Sequence, residues 1–227
     1  MKRNTAPLLR ALALTATLGM PLAHAATIDF ESGDLTGLYF AGDTFSSGDF
    51  TLTTMLSFGT IDTAASLGSA APTGNATQFY FNSNDGSLLL SRTDGALFSM
   101  TSFSAAFVPL DPPSSQTTVL VAVGTLANNT TVQAFWNFAP SSGGTYSFSN
   151  YASAADFAAF GSVKQIEFRA CSLVGSVICS VPTQNNGQFA IDDIAVSAVP
   201  EVSTSALMAL GLAGLVGLGR RARRSPL

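Results

Sequence analysis

Histidine is nearly missing from this chain: the only one, His24, lies at its N-terminal end. Beyond it no imidazole can serve as a general base, complete a histidine-based triad or ligate zinc. Basic residues are scarce in the same region. Between Ala26 and Val199 only Arg92, Lys164 and Arg169 stand against thirteen acids, a net charge of about −10. So acidic a body repels phosphate backbones, which excludes nucleic acid as a partner. Glutamate is limited there to Glu31 and Glu167. No carboxylate pair stands out that could hydrolyse a glycoside, and the expectation is a protein that is not an enzyme. Lys, Glu and Arg are also too few to clothe the wet faces of long amphipathic helices.

What remains is Phe, Thr, Ser, Ala and Gly, arranged in short alternating runs. Strands are expected over Thr27–Glu31, Asp49–Met55, Thr77–Phe81, Ser87–Arg92, Leu97–Val108, Thr117–Thr125, Thr130–Phe138, Val163–Ser172 and Gln188–Ser197. Turn residues separate them, among them Asn84-Asp85-Gly86, Thr93-Asp94-Gly95 and Asn128-Asn129. Ser153–Phe160 is the one stretch that reads as a helical turn. This spacing predicts an all-β body, an antiparallel β-sandwich of jelly-roll type.

Alternation assigns the faces. Val119, Val121 and Val123 share one face, and Ile166, Phe168 and Ala170 share another; both read as core. The lone Trp136 also reads as core, with Ala134 and Phe138. Tyr80 lies between Gln78 and Asn82 on its face, and Phe135 between Gln133 and Asn137. An aromatic ring among amides suits a sugar, so Tyr80 and Phe135 are the candidate ligand residues. The alternative is that both pack under a loop or against a second sheet.

The chain's ends carry sorting chemistry. Lys2, Arg3 and Arg10 precede the apolar stretch Ala11–Leu22, and Ala23-His24-Ala25 offers small residues for cleavage ahead of Ala26. Residues 1–25 are therefore expected to be a removable secretory signal. Cys171 and Cys179 are the only cysteines. In an oxidising compartment, a short loop apart, they are expected to pair as a structural disulfide.

In Gln188–Ser197 the apolar phase runs Phe189, Ile191 and then Ile194, Val196. The jump predicts a bulge at Asp192-Asp193, with one carboxylate turned to the interior or a sheet edge. Asp29-Phe30-Glu31 at the start of the body and Ala190–Ile194 at its end resemble the opening and closing motifs of extracellular jelly rolls, including carbohydrate-binding modules and MAM domains. That resemblance implies adjacent first and last strands with their acids close together. Glu31, Asp192 and Asp193 are thus candidates for a structural calcium (Ca2+) site, or else ordinary turn and edge acids.

The composition changes after residue 198. Val199-Pro200-Glu201 and the spacer Ser203-Thr204-Ser205 precede the apolar, glycine-rich run Ala206–Gly219. Arg220, Arg221, Arg223 and Arg224 follow. Even counted from Val202, the run barely reaches bilayer-spanning length, and its basic end would stay cytoplasmic. Residues 199–227 resemble the sorting signal of the PEP-CTERM family of exported bacterial proteins, with Val202 in place of the usual second proline. The resemblance implies an exosortase-like peptidase of a Gram-negative bacterium, a transient inner-membrane anchor, and release to the surface or exopolysaccharide matrix; a permanent anchor is the competing outcome. The expected function of the body, residues 26–198, is non-enzymatic association with exopolysaccharide. The alternative is a structural or adhesive module that binds protein.

Overall fold

The computed structural model describes residues 25–68, 71–108, 118–139, 145–174, 177–180 and 187–199. They form fourteen strands. The first five are β1 (Ala25–Ile28), β2 (Gly37–Phe40), β3 (Thr44–Ser47), β4 (Phe50–Met55) and β5 (Phe58–Thr63). Next come β6 (Gln78–Asn82), β7 (Ser87–Arg92), β8 (Phe98–Phe107), β9 (Thr118–Leu126) and β10 (Thr131–Asn137). The last are β11 (Ser149–Tyr151), β12 (Val163–Val174), β13 (Val177–Ser180) and β14 (Phe189–Ala198).

The hydrogen-bonded path runs β2-β5-β6-β14-β8-β12-β7-β4-β3. Strands β8 and β12 meet only through Val163 and Phe98. At that bridge the path divides into two antiparallel sheets. One centres on β14, which pairs with β8 on one side and shares its other edge between β6 and β1. The other centres on β12, flanked by β9 and β7 and extended by β10 and β4. Apolar side chains of both sheets merge into one core, with Leu52, Leu88, Leu90, Leu120, Ile166 and Phe168 from the β12 sheet. Ile61, Tyr80, Met100, Phe103, Phe189 and Ile191 come from the β14 sheet. The body is an all-β sandwich.

Each expected strand is present, with ends displaced by at most three residues. The expected helical turn appears as Ala154–Phe157 followed by a 3-10 turn, Ala158–Phe160. It buries Phe157 and Phe160, which with Trp136 and Phe103 form an aromatic cluster, Trp136 lying 5.2 Å from Phe157 and 4.9 Å from Phe103. Trp136 is core, as its face predicted.

Two points depart from expectation. Strand β1 ends at Ile28 and not at Glu31, because Phe30 adopts a φ of 55° that breaks the ladder. Its ring is thereby driven into the core, 6.2 Å from both Phe45 and Tyr80. On β9, Val119 and Val121 are buried as expected, in a cluster of their own with Cys171, while Leu120 and Ala122 on the other face enter the main core. Strands β2, β3, β5, β11 and β13 were not expected. They are short or carry glycine, and periodicity over three or four residues is no signal.

Candidate functional site

Tyr80 does not present a ring to solvent. It is wholly buried in the main core, and its hydroxyl lies 3.1 Å from Thr54 Oγ1. Burial holds that phenol well above the usual tyrosine range, partly offset by the Thr54 bond. The alternation of β6 places Phe79 and Phe81 opposite Tyr80, yet these are buried too, in a second cluster with Val108 and Ala190. A strand buried on both faces alternates in sequence without having a wet side. Tyr80 is therefore corrected from ligand candidate to core residue.

Phe135 does reach solvent. It is 41% exposed, near the middle of β10, a strand that pairs with β9 alone. Gln133 and Asn137 share its face and are exposed as well. Register extends this face inward. Val121 pairs with Phe135 on one side and Arg169 on the other. Val123 likewise lies between Gln133 and Glu167, and Val119 between Asn137 and Cys171. Directly paired residues share a sheet face, so three rows form a patch. A column of valines, two of them buried, separates an arginine and a glutamate from an aromatic ring and two amides. Glu167 Oε1 accepts a hydrogen bond from Ser87 Oγ at 2.6 Å. Among the described residues, Arg169 takes part in no hydrogen bond or ion pair, and its Nε is buried. Arg169 and Glu167 were absent from the sequence-based candidates. Alternation could have found them, since they occupy the face of β12 opposite Ile166 and Phe168.

The expected bulge in β14 is present. Register slips between Asp192, paired with Ser104, and Ala195, paired with Ser102, and Asp193 has a φ of 50°. The first and last strands lie side by side, with Ile28 opposite Ile194 and Ala26 opposite Val196. Ala25, at the expected cleavage point, is the first residue of β1. Asp192 is the acid that turns inward, at 2% exposure. Its Oδ2 accepts from Asn75 Nδ2 at 2.6 Å and its Oδ1 from the Asp193 backbone N–H at 2.8 Å. Burial pushes its carboxyl up to about 7. The two hydrogen bonds oppose that rise, and the charges of Asp193 and Glu31 add to it. Glu31 and Asp193 are thus each near enough to act on the Asp192 carboxyl. Among the described residues no group of three or more His, Cys, Asp or Glu is placed to hold a metal ion.

Cys171 is buried and disulfide-bonded. The side chain of Cys179 lies outside the described residues, as do Ala23, Pro200, Glu201, Arg220, Arg221, Arg223 and Arg224. Val199 is described, and its N–H donates to Leu97 O at 3.1 Å. Among the described residues no helix is long and apolar enough to cross a membrane.

No protein-family model matches the chain, and no curated protein matches it. Among solved structures it is similar to a DUF4465 family protein from Bacteroides caccae ATCC 43185, at 11% identity and a TM-score of 0.52. The match covers 78% of this chain and 100% of that one. It shows a shared fold. The C-terminal family 22 carbohydrate-binding module of Clostridium thermocellum Xyn10B matches at 12% identity and a TM-score of 0.35, over 78% and 95% of the two chains. A family 11 carbohydrate-binding module from Clostridium thermocellum matches at 14% identity and a TM-score of 0.34, over 76% and 94%. At those two TM-scores nothing about ligand follows for this chain.

Proposed function

We propose that the body is a non-enzymatic glycan-binding module of an exported surface or matrix protein. The observation that carries this reading is Phe135, an exposed ring flanked by the exposed amides of Gln133 and Asn137 on one sheet face. The ring can stack on the apolar face of a pyranose while the amides meet its hydroxyls. Retention of the full chain, held in mild detergent, on the producer's own exopolysaccharide tests it. Phe135→Ala should abolish retention without changing the melting temperature, and undiminished retention would refute the reading.

A protein-binding role is the second reading, favoured by a different surface. Leu38 and Phe40, 55% and 60% exposed, protrude from β2, which ends the hydrogen-bonded path. Large apolar side chains on an open strand edge suit association with another chain. Leu38→Ser with Phe40→Ser should then reduce adhesion while glycan retention persists.

Export and sorting belong to the same proposal. The motif Val199-Pro200-Glu201, the apolar run and the arginine cluster support cleavage by an exosortase-like peptidase and release from the inner membrane. Intact-mass analysis of the released protein checks this, since a tail still ending in Leu227 would sink it. A structural calcium at Glu31, Asp192 and Asp193 is likewise proposed. It should raise the melting temperature in a way that a chelator reverses, and indifference to chelator refutes it.

A further inference from the structure

We infer that the outer edge of β10 joins this protein to a second copy of itself, the two β10 strands pairing antiparallel about Gln133. Among the described residues, β1, β2, β3, β10, β11 and β13 pair on one side only. All but β10 have three or four residues, a length that itself discourages pairing with another chain, whereas β10 has seven. Its register against β9 runs one for one from Thr131 opposite Thr125 to Asn137 opposite Val119, so no bulge twists the edge away. Its sequence, TVQAFWN, holds neither proline nor charge. The usual protections of an exposed edge are missing.

The phase of this edge follows from its two ends. Leu126 N–H donates to Thr130 O at 2.8 Å, and Phe138 N–H donates to Thr118 O at 3.2 Å. Thr130 and Phe138 therefore turn their backbone groups toward β9, and in an antiparallel ladder every second residue between them does the same. Val132, Ala134 and Trp136 are thus committed to β9, and Thr131, Gln133, Phe135 and Asn137 point their N–H and C=O groups outward. Asn137 O accepts from the Tyr151 hydroxyl at 2.8 Å. Thr131, Gln133 and Phe135 have no backbone partner on that side among the described residues. Such a row of donors and acceptors complements itself when turned about a two-fold axis. With the axis at Gln133, that residue meets its own counterpart, Thr131 meets Phe135 of the second copy, and the bond from Tyr151 is left alone.

Charge selects the occupant. The body carries a net charge of about −10, which holds its copies apart, yet every residue from Pro112 to Ala155 is uncharged. Strands β9 and β10 and the hairpin between them lie within that stretch, so no like charges oppose one another along the paired strands. The contact is isologous and consumes the long edge of both copies, so it closes as a dimer and does not propagate.

Sedimentation equilibrium of the full chain in density-matched detergent tests this. The wild type should show a reversible, concentration-dependent dimer. Gln133→Pro removes an outward N–H that the single chain does not use, so the fold should stand while dimer affinity falls roughly tenfold or more. Gln133→Glu and Gln133→Lys each set like charges opposite one another and should weaken the dimer similarly. An equimolar mixture of those two variants should restore it, which a folding defect could not do. A wild type that stays monomeric at every concentration overturns the inference. So does a dimer that all three variants leave unchanged, because the contact then lies elsewhere.

Discussion

Asn75 donates its side-chain amide to the buried carboxylate of Asp192 across 2.6 Å, tying the segment before β6 to the bulge of β14 over 117 residues of sequence. The bond satisfies an acid that the bulge has turned inward. Asn75→Ala would leave Asp192 Oδ2 without its side-chain donor. Leaving a buried acceptor unpaired costs about 1–3 kcal/mol, so chemical denaturation should show a loss of that size.

Asp192 also makes stability depend on pH. Its folded-state pKa is raised from 3.8 to about 7, chiefly by burial. Between those values the native protein holds a proton that the unfolded chain has lost. Stability therefore falls as pH rises through that window, and the deficit is complete above it. Denaturation curves from pH 4 to pH 8, with chelator present, should show this decline. Asp192→Asn should flatten it.

Gly59 on β5 lies directly under the Tyr80 ring, where an added Cβ would collide with the ring's hydroxyl end. Tyr80 cannot retreat, because Phe30 and Phe45 pack against it and its hydroxyl meets Thr54. Gly59→Ala should therefore destabilise the fold by about 1–3 kcal/mol, the usual cost of overpacking a core. A melting temperature equal to wild type would contradict this packing.

Tyr80 and Phe135 should separate cleanly in one pair of variants. Tyr80→Phe loses the hydroxyl contact with Thr54, worth about 1 kcal/mol, and leaves glycan retention intact. Phe135→Ala does the reverse, with retention lost and stability unchanged within about 0.5 kcal/mol, as for other surface substitutions. Thermal melts and retention assays on the same preparations provide both readouts.

Cys171 should pair with Cys179, the only other cysteine. Non-reducing peptide mapping of the exported protein should recover the two in one linked peptide. Reduction should destabilise the fold by about 2–3 kcal/mol, the effect of opening a short loop. Free thiols at both positions would end the idea.

Much of the sandwich was legible because its long strands alternate clearly. Ser87–Arg92 was expected with its observed limits, and the phase jump at Asp192-Asp193 located the bulge before any pairing was known. The short strands β2, β3 and β11 were not legible, since their order comes from neighbours that complete their hydrogen bonds. The candidate site was legible in half. Phe135 with its amides could be read along one strand, but its relation to Arg169 runs across three strands and exists only through register.

The sequence by itself determined the all-β class, the bulge, the acidic and histidine-free chemistry of the body and the inward side of Trp136. Each of these is a local property of composition or of period-two alternation. Tertiary structure alone decided which of two alternating faces meets water. Tyr80 and Phe135 sit in similar amide-flanked patterns, yet one strand is buried on both faces and the other lies at a sheet edge. Alternation gives the side of a strand and carries no information about what the other layers of the fold place over it.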